Sequence, residues 1–334
     1  MIWEEKNRKG LEMEVAQTRK LELFSGNTHR ELAEKIASCL GLSLGEANLQ
    51  AFANGELHCK YSSSIRGADV FIIQTHANPI NTSIMEQLIM IDAAKRASAK
   101  RITAVCPYFG YSRQDRKASG REPITAKLVA DLLTAAGADR VVSVDLHSGQ
   151  IQGFFNYPVD HLTATPVLIE YLKKAGASGD VIVSPDAGRL KVAERFSQQL
   201  GADVAVIHKR RPRGQMNTVE ALGVIGDVAG RRCIIIDDMI DTAGTVSAAA
   251  ERLTKEGAID VWVMATHGLL SDPAAERLAK APVSKVVVTD TLPMQAHNLP
   301  NLEVLSVAQL LADAISAVFE DTSVSKIFGG DNLS

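Results

Sequence analysis

Two adjacent carboxylates, Asp237 and Asp238, follow the apolar run Ile234-Ile235-Ile236, and after a two-residue spacer comes Asp241-Thr242-Ala243-Gly244-Thr245. Successive β-branched residues read as a buried parallel strand, which puts the carboxylates at its carboxyl end. Thr245 opens the amphipathic run VSAAAERLTKEG, and Gly257 stands where a helix-ending C′ glycine is expected. The loop 241–245 therefore lies between a strand end and a helix N-terminus, where backbone N–H groups and the helix dipole favour an anion. The hydroxyls of Thr242 and Thr245 add donors, and Gly244 lets the backbone approach a ligand closely. Paired carboxylates suit sugar hydroxyls, or Mg²⁺, which prefers oxygen ligands. The stretch reads as a cradle with a phosphate in the loop and a sugar diol over the carboxylates. An ordinary acidic strand end before a capped helix is the plain alternative. It would fit one Asp better than this doubled arrangement.

Other strand ends carry chemistry-bearing residues too. Phe52 offers a ring face for a base, and Asn54, Glu56 and Gln114 can read a purine edge. Arg113 can clamp a phosphate with its planar fork. By themselves, Asn54-Gly55 is usually only a turn and the RQDRK run only a solvated charge cluster. His147 closes VVSVDLH, where a metal–nucleotide site competes with a purely structural histidine. Asp186 in SPDAG is either an N-cap or a carboxylate supporting a metal. The cations 208–213, which include Lys209 and Arg211, form either a hairpin tip or a cationic clamp on phosphates. Ser64 and Arg66, with Ser323 and Ser325 in the tail, pair small hydroxyls with a guanidinium. In an extended tail both serine hydroxyls would face one side.

The elements that must position these residues alternate. Strands are expected at 21–26, 69–76, 101–109, 141–147 and 180–184, then DVAVIHKRR, the run before Asp237, VWVMATHG and VVVTDT. Helices are expected after a Thr28/Glu31 capping box, ending near Gly41, and at 82–98, 125–136, 165–174, 190–200, 245–256, 273–281 and 307–319. LQAFANGELHCKY reads as a hairpin turning at Asn54-Gly55, and EALGVIGD as a short antiparallel strand. The order predicts an α/β fold: two similar domains, each a mainly parallel sheet flanked by helices. Strand, loop, helix, strand and polar loop recur in the same order around residues 70–110 and 233–268. The expected division is a polar extension at 1–19, domains at 20–163 and 164–334, and a tail at 320–334 returning to the first domain. In such sheets ligands sit beyond the carboxyl ends of the strands.

Length and composition set the bounds. A chain of 334 residues, 46% hydrophobic, suffices for two cores. A net charge of −3 gives no general reason to expect nucleic-acid binding. No apolar run of about 18 residues predicts a membrane span. The charged start lacks the apolar core of a signal peptide. Cys39, Cys59, Cys106 and Cys233 have no metal-type spacing and read as free thiols in a reducing cytoplasm.

The sequence DDMIDTAGT resembles the phosphoribosyl-diphosphate loop of type I phosphoribosyltransferases and of ribose-phosphate diphosphokinases (PRPP synthases). FANGE, RQDRK, VDLHSGQIQGFF, SPDAG, KRRPR and DDMIDTAGT together occur in the order and approximate spacing of the latter family, from Leu21 to Phe328. A phosphoribosyltransferase would share only the loop. The resemblance implies that Phe52, Asn54, Glu56, Arg113 and Gln114 hold ATP, and that His147 and Asp186 assist Mg²⁺. It assigns Lys209 and Arg211 to a catalytic loop, and Asp237, Asp238, Asp241, Thr242, Ala243, Gly244 and Thr245 to ribose 5-phosphate. It implies diphosphoryl transfer to the sugar's 1-hydroxyl with release of AMP, for nucleotide biosynthesis, in a cytoplasmic homo-hexamer. It also implies phosphate and ADP as effectors, at a site tied to Ser64, Arg66, Ser323 and Ser325. A non-catalytic regulatory homologue and a phosphoribosyltransferase are the competing readings. Two positions depart from the family pattern. Arg189 follows SPDAG where a further glycine is common, and Gly120 lies where relatives bind a regulatory anion.

Overall fold

The computed structural model describes residues 19–210, 220–294 and 299–328. β1 (Leu21–Ser25) leads through α1 (Arg30–Cys39) to a hairpin of β2 (Ala47–Ala51) and β3 (Leu57–Tyr61). Then follow β4 (Asp69–Ile73), α2 (Ile80–Arg96), β5 (Arg101–Cys106), α3 (Thr125–Ala136), β6 (Arg140–Val144) and β7 (Val159–Leu162). The first sheet has the order β1-β4-β5-β6-β7, with every neighbouring pair parallel.

The second half runs α4 (Thr165–Lys174), β8 (Val181–Ser184), α5 (Leu190–Leu200), β9 (Asp203–Arg210), β10 (Glu220–Ile225) and β11 (Arg232–Ile240). It continues with α6 (Gly244–Lys255), β12 (Asp260–Gly268), α7 (Ala274–Lys280), β13 (Lys285–Thr289), β14 (Leu302–Leu305) and α8 (Ala308–Phe319). Its sheet has the order β10-β9-β8-β11-β12-β13-β14, parallel except for the β9–β10 pair. No helix among the described residues is long and apolar enough to cross a membrane.

The strands are apolar at both parities because both sheet faces are covered; all five residues of β4 are buried. On the first sheet, Leu88, Ile91 and Leu133 of α2 and α3 pack one face, and Leu32 and Ile36 of α1 join Leu311 and Ile315 of α8 on the other. α8, last in sequence, thus covers the first sheet. The segment Val324–Phe328 continues that packing as a 3-10 turn, not as an extended strand. Val324, Ile327 and Phe328 recur at helical spacing, which suits a turn laid on an apolar surface. Other expectations also shift. Thr28 caps nothing: its N–H donates to Gln74 at 3.3 Å, and His29 is the N-cap of α1. β7 and β14 are edge strands of four residues each, too short to show a period.

The two sheets meet along a polar seam. His267 Nε2 lies 3.1 Å from both Val144 O and Asp145 O at the end of β6, and its Nδ1 is 2.9 Å from Thr291 Oγ1. Asp145 Oδ2 accepts from the Ala164 N–H at 2.9 Å and from Thr266 Oγ1 at 2.6 Å. Thr75 Oγ1 donates to Thr291 O at 2.7 Å. The Tyr108 and His267 rings stand edge to face, 4.9 Å apart.

Candidate active site

β11 pairs with β8 only as far as Ile235↔Val183, while on its other side it stays paired with β12 through Ile240↔Gly268. Beyond Ser184, that edge of β11 has lost its neighbour. Asp237 and Asp238 stand in this stretch, inside the strand and not at its end as the sequence suggests. The turn after β8 supplies Asp186 and Arg189, and His147 comes from just past β6 in the first sheet. These residues, with Arg113 and Thr245, line one cavity of about 860 Å³.

Asp238 is 5% exposed, and its Oδ2 lies 2.6 Å from His147 Nδ1. The same oxygen contacts Arg189 Nη2. Asp237 Oδ1 accepts the Asp238 N–H at 2.9 Å and lies 3.7 Å from Arg189 Nε. The pair is electrostatically split. Burial, together with the neighbouring Asp238 carboxylate, pushes Asp237 up to about 7. Burial opposes ionisation of Asp238 as well, but the His147 hydrogen bond and the Arg189 guanidinium together hold it below the usual carboxylate range. One carboxylate is thus a fixed charge, and its neighbour is poised to share a proton or accept from a ligand.

The loop after β11 turns through Ala243 in the left-handed region, φ 59°, and α6 starts at Gly244, one residue before the expected Thr245. Thr242, Gly244 and Thr245 are exposed around this start. Arg277 of α7 donates to Thr242 O at 2.9 Å and pins the loop from behind. Asp241 pairs with Arg113 Nη1 at 2.7 Å, joining the loop to the segment after β5.

The expected site residues are not all gathered here. Arg113, His147, Asp186, Asp237, Asp238 and Thr245 share the cavity. Gln114 faces the start of α3, where its Oε1 accepts from Thr125 Oγ1 at 2.6 Å. Phe52 and Glu56 line a different cavity of about 570 Å³, with Asn81 and Met85 of α2. Asn54 lies in the hairpin tip, its Oδ1 accepting the Glu56 N–H at 3.2 Å. Ser323 and Ser325 bond each other at 2.7 Å, and among the described residues no hydrogen bond links them to Ser64 or Arg66. The Lys209 side chain and all of Arg211 lie outside the described residues.

Asp186 is an N-cap, accepting the Gly188 N–H at 2.9 Å, and remains exposed on the rim. Among the described residues no three His, Cys, Asp or Glu side chains gather into a metal cage. Mg²⁺ usually keeps several waters and takes one or two carboxylates plus substrate phosphates. The exposed Asp186 carboxylate on the rim fits that mode, and His147 lines the same cavity with its Nδ1 committed to Asp238. Sequence reasoning did not find Arg277, a single cation on a distant helix with no motif around it. It singled out Arg189 only as an oddity beside SPDAG, without its carboxylate partners.

Comparison with known proteins matches both halves. The profile of the N-terminal domain of ribose phosphate pyrophosphokinase covers residues 21–137, and that of the phosphoribosyl synthetase-associated domain covers 212–329. A ribose-phosphate pyrophosphokinase of Streptomyces avermitilis is 53% identical over 312 residues, 93% of this chain and 96% of that protein. One from Caldanaerobacter subterraneus subsp. tengcongensis is 51% identical over 313 residues, 93% of this chain and 98% of its own. The crystal structure of phosphoribosylpyrophosphate synthetase from Mycobacterium smegmatis superposes with a TM-score of 0.85 at 50% identity, covering 91% of this chain and 100% of that one.

Proposed function

The chain belongs to the ribose-phosphate pyrophosphokinase family, and on that premise we propose how its residues divide the reaction. It is a diphosphotransferase that makes 5-phosphoribosyl 1-diphosphate from ribose 5-phosphate. The donor assigned here is ATP, and the second product AMP. The observation that carries the assignment is the single cavity in which the Asp237–Asp238 pair, the start of α6, His147, Asp186 and Arg113 converge.

In this reading the 5-phosphate lies on the loop Asp241, Thr242, Ala243, Gly244, Thr245, where the backbone N–H groups at the start of α6 point outward. The sugar diol lies over Asp237, with Asp238 behind it. The 1-hydroxyl then faces the ATP β-phosphorus across the cavity, and AMP departs in line. Phosphoryl transfer asks mainly for positioning and charge stabilisation. Arg113 fits the nucleotide phosphates once a ligand draws it from Asp241. Lys209 and Arg211 are assigned to the developing charge. Mg²⁺ bound with the nucleotide at Asp186 and His147 would neutralise phosphate charge.

Phe52, Asn54 and Glu56 are placed on the adenine side. Phe52 is 55% exposed and lines a cavity separate from Arg113. In the homo-hexamer assigned here, the nucleotide is held between two copies, with Phe52 of one and Arg113 of the other. Gln114 acts by fixing the start of α3 beneath Arg113. The compartment assigned is the cytoplasm, in keeping with four free cysteines. Phosphate and ADP are assigned to a regulatory anion site at Ser64, Arg66, Ser323 and Ser325, and Arg66→Ala should blunt both responses without slowing the saturated enzyme.

The test of the function is AMP release from ATP, with and without ribose 5-phosphate, in Mg²⁺ and in EDTA. AMP is expected only with sugar phosphate and metal together. AMP formation independent of ribose 5-phosphate would overturn the assignment.

A further inference from the structure

Arg189 lies within the cleft, its side chain 22% exposed, and contacts both carboxylates of the pair. Its backbone is the N-cap of α5 and follows the turn fixed by the Asp186–Gly188 hydrogen bond. Asp238 is left with two donors on one oxygen, His147 Nδ1 and Arg189 Nη2, and almost no exposure. A guanidinium keeps its charge at any physiological pH and presents a planar fork that carboxylates accept. It faces Asp237 Oδ1 and Asp238 Oδ2, and a divalent cation on those two oxygens would meet it at short range, where like charges repel.

We propose that Arg189 is a built-in counter-ion for the Asp237–Asp238 pair, so that this chain binds ribose 5-phosphate without a divalent cation. Arg189 acts through the carboxylates and is a positioning residue. By neutralising Asp238 it leaves Asp237 to the sugar hydroxyls and excludes a metal from the pair. The divalent cation is then needed only with the nucleotide. This rests on the reading above that Asp237 faces the sugar diol.

The experiment is a calorimetric titration of the full chain with ribose 5-phosphate in EDTA and in Mg²⁺, for wild type, Arg189→Gly, Arg189→Lys and Asp237→Asn. Mn²⁺ binding without nucleotide is followed in parallel by electron paramagnetic resonance. The wild-type affinities should agree within about threefold, the scale of a screened exposed charge effect. Arg189→Gly should lose at least about tenfold in EDTA and recover it in Mg²⁺, and should bind Mn²⁺ at least about tenfold more tightly than wild type. Arg189→Lys, which keeps a cation, should stay near wild type in EDTA.

Wild-type binding that collapses in EDTA overturns the proposal, as does an Arg189→Gly chain that matches wild type in both titrations. Should Arg189→Gly not fold, the wild-type and Arg189→Lys titrations decide alone. If Asp237→Asn binds the sugar phosphate as wild type does, the placement of the diol fails. If Asp237→Asn is impaired but wild type still requires the metal, only the role of Arg189 fails.

Discussion

Asp145 and Asp238 both stand on or just past a central parallel strand, and each has a histidine close by. Asp145 spends its Oδ2 on the Ala164 N–H and on Thr266 Oγ1, while His267 bonds its main-chain oxygen. Those partners come from two sheets and none is a ligand. His267 is 1% exposed, and burial holds it below the usual histidine value, so a neutral ring cross-links main-chain atoms. Asp238 instead meets His147 and Arg189 on the wall of a cavity of about 860 Å³, beside a second carboxylate. Residue type and position in the fold are alike, and Asp145 reaches a smaller cavity of about 120 Å³ that Asp237 and Asp238 also line; the difference is how far protein donors already occupy the carboxylate. Where two sheets dock, an Asp–His neighbourhood becomes a rivet. Where one strand outruns its neighbour, it becomes a site.

Substitutions at the two carboxylates and their neighbours separate the structural role from the ligand-binding one. The largest effect is expected on the ligand side, from the cation assigned to the transferring phosphoryl group. Lys209→Ala should lower kcat by about 10²- to 10⁴-fold, with ribose 5-phosphate affinity little changed. Single-turnover kinetics would check it, and a near-wild-type rate would remove Lys209 from the mechanism.

Next comes the rivet. Asp145→Ala orphans two donors, one of them in a buried seam, and puts alanine at a φ of 38°. Losing such bonds to a charged group should cost about 2–5 kcal/mol of stability. Urea unfolding would measure this, and the surviving folded fraction should still bind ribose 5-phosphate. Equal stability with weakened binding would reverse the roles assigned to the two carboxylates.

Asp237→Asn is the mirror experiment. Sugar-phosphate affinity should fall by about 1.5–3 kcal/mol, roughly 10- to 150-fold, with stability nearly unchanged and ATP affinity moved far less. The smallest effect is expected from Thr75→Val, which removes the bond to Thr291 O and the acceptor for the Tyr108 N–H at 3.2 Å. A loss of about 1–2 kcal/mol is expected, visible in Tm, with substrate binding unaltered.

Much of the fold was legible because long apolar parallel strands and amphipathic helices announce themselves by period. Helices α3, α4 and α5 fall on the expected residues 125–136, 165–174 and 190–200. The strands β7 and β14 did not announce themselves. Each is four residues at a sheet edge with mixed burial, so no period develops. The local grouping of Asp237, Asp238 and the 241–245 loop was readable because chain neighbours carry it. The contacts between elements were not: Arg277 and the carboxylate partners of Arg189 escaped notice, and His147, though singled out, was not tied to Asp238, because only the order of strands in space brings them together. The seam was invisible for the same reason. Thr75 and Thr291 look like any strand threonines until two sheets dock. Pairing of the tail serines was missed because their alternation suggested a strand, whereas the apolar spacing around them makes a turn.

The docking of the two sheets also sets how the molecule can work as a machine. Thr75 is tied to Thr291, His29 Nε2 to Asp290 O at 2.9 Å, and Tyr108, Met239 and Leu292 pack across the joint, so the halves are bonded to each other along it. A clamshell stroke would have to tear buried bonds that water cannot replace in passing. Arg113, held by its ion pair with Asp241, stands outside this joint, so drawing it away breaks one partly exposed pair and leaves the frame intact.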